Sequence, residues 1–175
     1  MSAILPKTPS FRLDGRAALV AGASSGIGQA AAVALAEAGA RVTLVARSAD
    51  KLQQTAEGLH GRGLLAETLV VDVQDIEATE RAIAARPPFD ILVNSAGMAR
   101  HGPALETALA DFDAVVGLNL RGAYFLTRAV AKALIAAARL ADQHLLADGP
   151  CRRHRSRRVC RYQACCRGLH EIHGD

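Results

Sequence analysis

A chain of 175 residues, half of them apolar, is long enough for one domain with a substantial core. Only six residues are aromatic, so Ala, Val and Leu must do most of the packing. No apolar run approaches the roughly 18 residues of a membrane span, and Met1–Ser10 lacks the apolar stretch of a signal peptide. These features predict a cytoplasmic protein with no membrane partner.

The formal charge of +4 is not spread along the chain. Residues 1–138 carry 13 Lys and Arg against 13 Asp and Glu, whereas residues 139–175 carry eight Arg, no Lys and four acids. All four cysteines and four of the six histidines lie in that tail as well. The shift marks a boundary near Ala138, between a domain over 1–138 and a tail over 139–175 expected to be disordered.

Strand-like and helix-like stretches alternate up to the boundary. Ala17–Ala21 reads as a buried strand and Gly26–Ala38 as a helix, with Gly39 placed at its C-terminal cap. Val42–Ala46 is the second strand, followed by a helix from Ser48/Ala49 to His60 with Ser48 as N-cap. Thr68–Val71 and Ile76–Ala85 form the third pair, and Pro87-Pro88 end that helix. Ile91–Val93 is the fourth strand, and a loop through Gly102-Pro103 leads to a long helix over about Leu109–Ala137. Apolar strands without polar alternation, each followed by a helix, predict α/β architecture: a Rossmann-type, doubly wound parallel sheet covered on both faces.

The turn after the first strand has the spacing G-x-x-x-G-x-G, at Gly22, Gly26 and Gly28. Gly22 turns the chain out of the strand, Gly26 lets backbone approach a pyrophosphate, and Gly28 lets the helix pack closely. The helix then points free N–H groups and its positive dipole end at the phosphates. Ser24, Ser25 and Ile27 belong to the same turn. Asp72-Val73 end the third strand, where a side chain can meet an adenine edge. Asn94-Ser95-Ala96-Gly97 end the fourth, at the mouth where open parallel sheets bind ligands. Each segment alone is also an ordinary turn or loop. Asn119 is an amide inside the long helix, and a core-facing hydrogen bond to backbone accounts for it equally well.

Together these residues resemble the short-chain dehydrogenase/reductase family. That family has a T-G-x-x-x-G-I-G turn, an N-N-A-G fourth-strand motif and an asparagine in an N-V/L-x-G helix context. The chain has Ala21 in place of the Thr and Ser95 in place of the second Asn. The resemblance runs from about Phe11 to Ala137 and places four motifs in order. It implies a homo-oligomeric NAD(P)-dependent oxidoreductase moving a hydride between cofactor and a small alcohol or carbonyl. The implied cofactor-binding residues are Gly22, Ser24, Ser25, Gly26, Ile27, Gly28, Arg47, Asp72, Val73, Asn94, Ala96 and Gly97, with Asn119 the catalytic residue retained. Arg41–Leu52 and Phe89–Arg121 look most like members acting on sugars, polyols or small carbonyls.

The end of the second strand argues for NADP over NAD. An acid there would bond the ribose hydroxyls of NAD and repel a 2′-phosphate. Ala46 occupies the position, and the Arg47 guanidinium that follows can grip a phosphate with paired charge-assisted hydrogen bonds. A solvated surface Arg is the competing reading.

The resemblance also implies a Tyr with a Lys four residues on, the cation favouring the phenolate, and an upstream Ser for the substrate oxygen. The chain has two tyrosines: Tyr124 is followed four residues later by Arg128, and Tyr162 by Cys166. No Lys follows Lys132. Cys151-x-x-His154, Cys160, Cys165-Cys166 and His170-x-x-His173 offer zinc-ligand types, and the tail arginines a nucleic-acid patch. Neither set has the paired spacing of a finger, and no aromatics interleave for base stacking. Neither a metal nor a nucleic-acid partner is therefore expected. The competing class is a non-catalytic nucleotide-binding module with a basic or zinc-binding tail.

A shifted reading frame accounts for more of the tail. Val159 followed by Cys160 permits a Tyr codon one base on, and Gln163 followed by Ala164 permits a Lys codon. Leu145 and Leu146 permit two serine codons, the second thirteen codons before that Tyr. The shifted text resembles the family's fifth strand, catalytic Ser and Tyr-x-x-x-Lys in register. Residues from roughly Ala137 onward are thus expected to be a frameshift product, truncating the fold after the fourth strand and its long helix.

Overall fold

A computed structural model of the protein describes residues 10–147, with side-chain surroundings through residue 138. The Cys, His and Arg-rich part of the tail, and the codons proposed for the Tyr and Lys, lie outside the described residues. The chain divides into a compact unit through Leu134 and a second unit from Ile135.

The first unit alternates as the sequence predicts. Its elements are β1 (Ala17–Ala21), α1 (Gly26–Glu37), β2 (Arg41–Ala46), α2 (Ala49–His60), β3 (Ala66–Val70), α3 (Ile76–Ala84) and β4 (Ile91–Asn94). A 3₁₀ turn (Ala104–Glu106), α4 (Leu109–Val116), a π-helical segment (Gly117–Gly122) and α5 (Ala123–Ala147) follow. All four strands are parallel, in the order β3-β2-β1-β4. Leu19 of β1 stands between Thr43 and Leu92, and Ala21 between Val45 and Asn94.

Successive strand residues point to opposite faces, so a continuous apolar run needs cover on both sides. Ala18, Val20, Val42 and Leu44 face a layer built with Ala32 and Ala36 of α1 and Leu52, Ala56 and Leu59 of α2. Leu19, Ala21, Val45 and Leu69 face the other, with Ile83 of α3, Leu118, and Leu126, Ala129 and Val130 of α5. The small alanines of α1 let that helix lie close to β1. Gly39, at φ +102°, turns the chain out of α1, and its N–H bonds the Ala36 carbonyl at 2.9 Å.

Three expectations need adjustment. β3 begins at Ala66, two residues before the predicted start, with Glu67 exposed, because a strand at the sheet edge alternates where a central one does not. Ser48 holds the N-cap position of α2 with extended backbone, but its hydroxyl makes no capping bond. The long helix is interrupted by the π-helical segment between Gly117 and Gly122, and helix continues to Ala147, past the compositional boundary at Ala138. Gly122, which closes that segment, lies close to the chain leaving β3, where a Cβ would stand 3.0 Å from the Val73 carbonyl oxygen.

Candidate functional site

In a parallel sheet every strand delivers its C-terminal end to the same edge. The registers bring Ala21 beside Val45 and Asn94, and Ala46 beside Val70. Connections leave β1 for β2 on one side while β4 lies on the other, so the glycine turn sits at the point where strand order reverses. A cleft of about 420 Å³ opens there, within the size range of small-molecule and cofactor sites.

The three glycines shape its floor by three different means. Gly22 has φ +77° and donates its N–H to the Val45 carbonyl at 2.8 Å. A Cβ there would lie 2.6 Å from the Ser95 carbonyl carbon and 2.7 Å from the Ala96 nitrogen. Gly26, at φ +57°, has open space where a Cβ would stand. Gly28 packs directly on the Gly22 carbonyl, with the Ser95 Cβ 3.2 Å from where its own Cβ would be. Its role is therefore closeness of the helix to the loops more than to the strands. Ser95, in the place of the family's second Asn, fills the space beside Gly28 and bonds its N–H to Ala21 O at 2.9 Å.

Above that floor stands the N-terminus of α1. Its first turn carries no acid, and the first intrahelical bond runs from Gln29 N to Ser25 O, leaving the Gly26, Ile27 and Gly28 N–H groups ahead of it. Ser24 and Ser25 line the cleft, and the Ser25 hydroxyl makes no capping bond. Ile27 lines it too and is 81% exposed.

The far wall comes from β2 and β3. Arg47 and Asp72 both line the cleft, with Arg47 Nη1 3.9 Å from Asp72 Oδ2. Asp72 Oδ1 accepts from Gln74 N at 3.0 Å, which fixes the carboxylate at the strand end. Val73 is shared between the cleft and the core beneath it. Ala96 and Gly97 close the remaining side. Asn94 does not line the cleft; its Oδ1 accepts from Ala96 N at 3.1 Å and bends the loop that does.

Asn119 belongs to the π-helical segment. Its Oδ1 accepts from Met98 N at 2.9 Å and its Nδ2 donates to Met98 O at 2.8 Å, a two-way clamp across 21 residues. The hydrogen bond to backbone expected from the sequence is present, but the side chain is exposed and reaches a distant loop instead of the core. Tyr124 is not part of the cleft lining. Arg128, four residues on, is engaged with Glu80 Oε1 at 2.6 Å and stacks 4.5 Å from the Phe125 ring centroid.

Among the expected cofactor residues, then, Gly26, Gly28 and Asn94 act on the shape of the cleft while the other nine line it. Ser48, expected only as a helix cap, lines it as well, as do Val45, Lys51, Val71 and Leu118, which the sequence did not single out. For Lys51 a signal existed: a cation in the first turn of a helix, where the helix dipole opposes it.

The geometry has close relatives. The family profile described as "short chain dehydrogenase" matches residues 16–140. D-threitol dehydrogenase of Mycolicibacterium smegmatis is 43% identical over 133 residues, covering 73% of this chain and 50% of that protein. Gluconate 5-dehydrogenase of Gluconobacter oxydans is 40% identical over 129 residues, covering 71% and 50%. Among solved structures, a gluconate 5-dehydrogenase from Burkholderia cenocepacia in complex with NADP and tartrate superposes with a TM-score of 0.69 at 38% identity, over 73% of this chain and 52% of that one. The chain spans about half the length of the curated relatives it matches. By its profile match, its motifs and its sheet, this chain belongs to the short-chain dehydrogenase family of oxidoreductases.

Proposed function

We propose that the chain is the cofactor-binding half of a short-chain dehydrogenase that takes NADP in preference to NAD and acts on a small polyol, sugar or sugar acid. The observation that carries the cofactor reading is the wall at the end of β2. Ala46, Arg47 and Ser48 line the cleft there, and Asp72 is the one carboxylate among the lining residues. The residues fit a dinucleotide. A floor with no room for a Cβ at Gly22, a helix N-terminus without acids and serine hydroxyls above it are what a pyrophosphate requires. When bound, the cofactor supplies the hydride.

The chain's own groups bind and orient. In this reading the N–H groups opening α1, with Ser24 and Ser25, would hold the phosphates, Asp72 and Val73 the adenine, and the Asn94–Gly97 loop the ribose. Asn119 holds that loop at Met98, and the family resemblance adds a place in proton transfer. The substrate class is supported by the polyol and gluconate dehydrogenases among the relatives. The same reading takes the intact enzyme as a cytoplasmic homo-oligomer. Leu109, Phe112, Leu120 and Tyr124 on the α4–α5 face, each more than half exposed, support the assembly.

The polypeptide as written is proposed to be inactive. A carbonyl turned to an alkoxide needs a proton, and no Tyr-x-x-x-Lys occurs in the sequence. The abrupt charge shift after Ala138, and a shifted reading that the amino acids permit in register, support a frameshift as the cause. Reading the coding nucleotides across codons 134–141 tests that cause. Assaying NADP- and NAD-linked oxidation of a polyol panel, with this chain and with its frame-restored counterpart, tests the function. Turnover by the frame-restored chain alone, with NADP favoured, is expected. Turnover by the 175-residue chain overturns the reading.

A further inference from the structure

Lys51 is the cleft side chain that neither the turn nor the packing explains. It is the third residue of α2, and helical side chains lean toward the N-terminus of their helix, here the end that meets the cleft. Its neighbours do other things: Asp50 is not part of the lining, and Leu52 is fully buried in the core. The positive end of the α2 dipole opposes a cation at this position. No carboxylate among the described residues lies within ion-pair distance of Lys51. Arg47, the other cation of the cleft, already faces Asp72 at 3.9 Å. Ser48 lies between the two in sequence and lines the same wall, its hydroxyl unused for capping.

We propose that Lys51, assisted by the Ser48 hydroxyl, is the main specificity determinant for the 2′-phosphate of NADP, with Arg47 a secondary contact shared with Asp72. The inference deepens the NADP reading and rests on it. A phosphate at this wall gives the Lys51 ammonium a counter-charge that no carboxylate among the described residues supplies, and relieves its conflict with the helix dipole. Arg47 gains less from the same phosphate, because it must divide its charge between phosphate and Asp72.

Adenosine 2′,5′-bisphosphate and 5′-AMP differ only in the 2′-phosphate, so their affinities isolate it. Titration calorimetry with both nucleotides is to be run on the parent, Lys51→Met and Arg47→Met. Each is made in the 175-residue chain and in its frame-restored counterpart, so poor solubility of the former leaves the comparison intact. The parent is expected to prefer the bisphosphate. Lys51→Met is expected to weaken bisphosphate binding roughly ten- to a hundredfold, the scale of a lost hydrogen bond to a charged group, with 5′-AMP unchanged. Arg47→Met is expected to cost less. A parent that prefers the bisphosphate, with that preference intact in Lys51→Met or lost more fully in Arg47→Met, overturns the assignment of Lys51 and leaves the NADP reading standing. A parent without preference overturns both.

Discussion

Gly22 is constrained twice over, by its backbone conformation and by its neighbours. Its positive φ disfavours every L side chain, and an added methyl would meet the peptide between Ser95 and Ala96, which the bond from Ser95 N to Ala21 O holds in place. Gly26 has the strained φ but open space around it. Gly22→Ala should therefore destabilise by several kcal/mol, and Gly26→Ala by about 1 kcal/mol. Denaturant unfolding of the two in the frame-restored chain checks the order, and equal losses would show that the close approach of Ser95 carries no weight. A second residue-scale prediction concerns Ala46. Placing Asp there sets a carboxylate beside any 2′-phosphate, so Ala46→Asp should move the NADP-to-NAD ratio of kcat/KM toward NAD by about tenfold or more, equivalent to roughly 1.4 kcal/mol. An in-frame enzyme that already uses NAD as efficiently as NADP would remove the basis for this.

At the scale of elements, what keeps the cleft in shape is a few ties between segments distant in sequence. The π-helical segment presents Asn119 to Met98, and with it positions the loop that follows β4. Asn119→Ala should cost no more than about 1 kcal/mol, because both bonds are exposed and water can replace them, but hydrogen exchange at the Met98 amide should accelerate. Unchanged exchange there would deny the clamp. Glu80 of α3 and Arg128 of α5 form another tie, and hydrogen bonding to the guanidinium holds the Glu80 carboxyl below its ordinary value of 4.5. A carboxylate with a lowered folded-state pKa adds stability above its unfolded value and loses it as pH falls through the folded one. Glu80→Gln should therefore narrow the gap to the parent as pH drops below about 4.5, in unfolding measurements at pH 7 and pH 3. The pair is partly exposed, so the effect should also shrink in high salt.

For the whole molecule the decisive feature is the β4 edge. Among the described residues β4 pairs only with β1, and Ile91, Leu92 and Val93 are half-buried where the β1 residues between their neighbours are almost fully covered. An apolar strand with an open edge is a template for association. The 175-residue chain should consequently be poorly soluble or melt without a sharp transition, by size-exclusion chromatography and calorimetry. A soluble monomer with a cooperative melt and a protease-resistant tail would revive the tail as a module. The same chain should show no measurable carbonyl reduction. General acid–base help alone contributes roughly 10²–10⁴ in rate, and loss of substrate positioning removes more. If the tail is the frameshift product proposed above, restoring the frame near codon 138 should restore turnover, and Phe in place of the Tyr read from the shifted Val159 codon should abolish it.

The strands, the first three helices and the glycine turn were legible because their causes are local: apolar runs of strand length, glycines and prolines at their ends, helices between. The predicted bounds of β1 match the observed Ala17–Ala21 for that reason. The parallel sheet followed from apolar strands each followed by a helix, the edge strand β3 alone alternating. What the sequence could not display is approach between segments far apart in the chain. The fit of Ser95 against Gly28, the reach of Asn119 to Met98, the close approach of Gly122 to the Val73 carbonyl, and the arrival of Lys51 at the wall beside Arg47 all arise only when β1, β2, β3 and β4 share one edge. Local sequence determined which segments are strands, helices and phosphate turn; tertiary packing decided which side chains face the cleft, because that depends on how closely distant backbones come together.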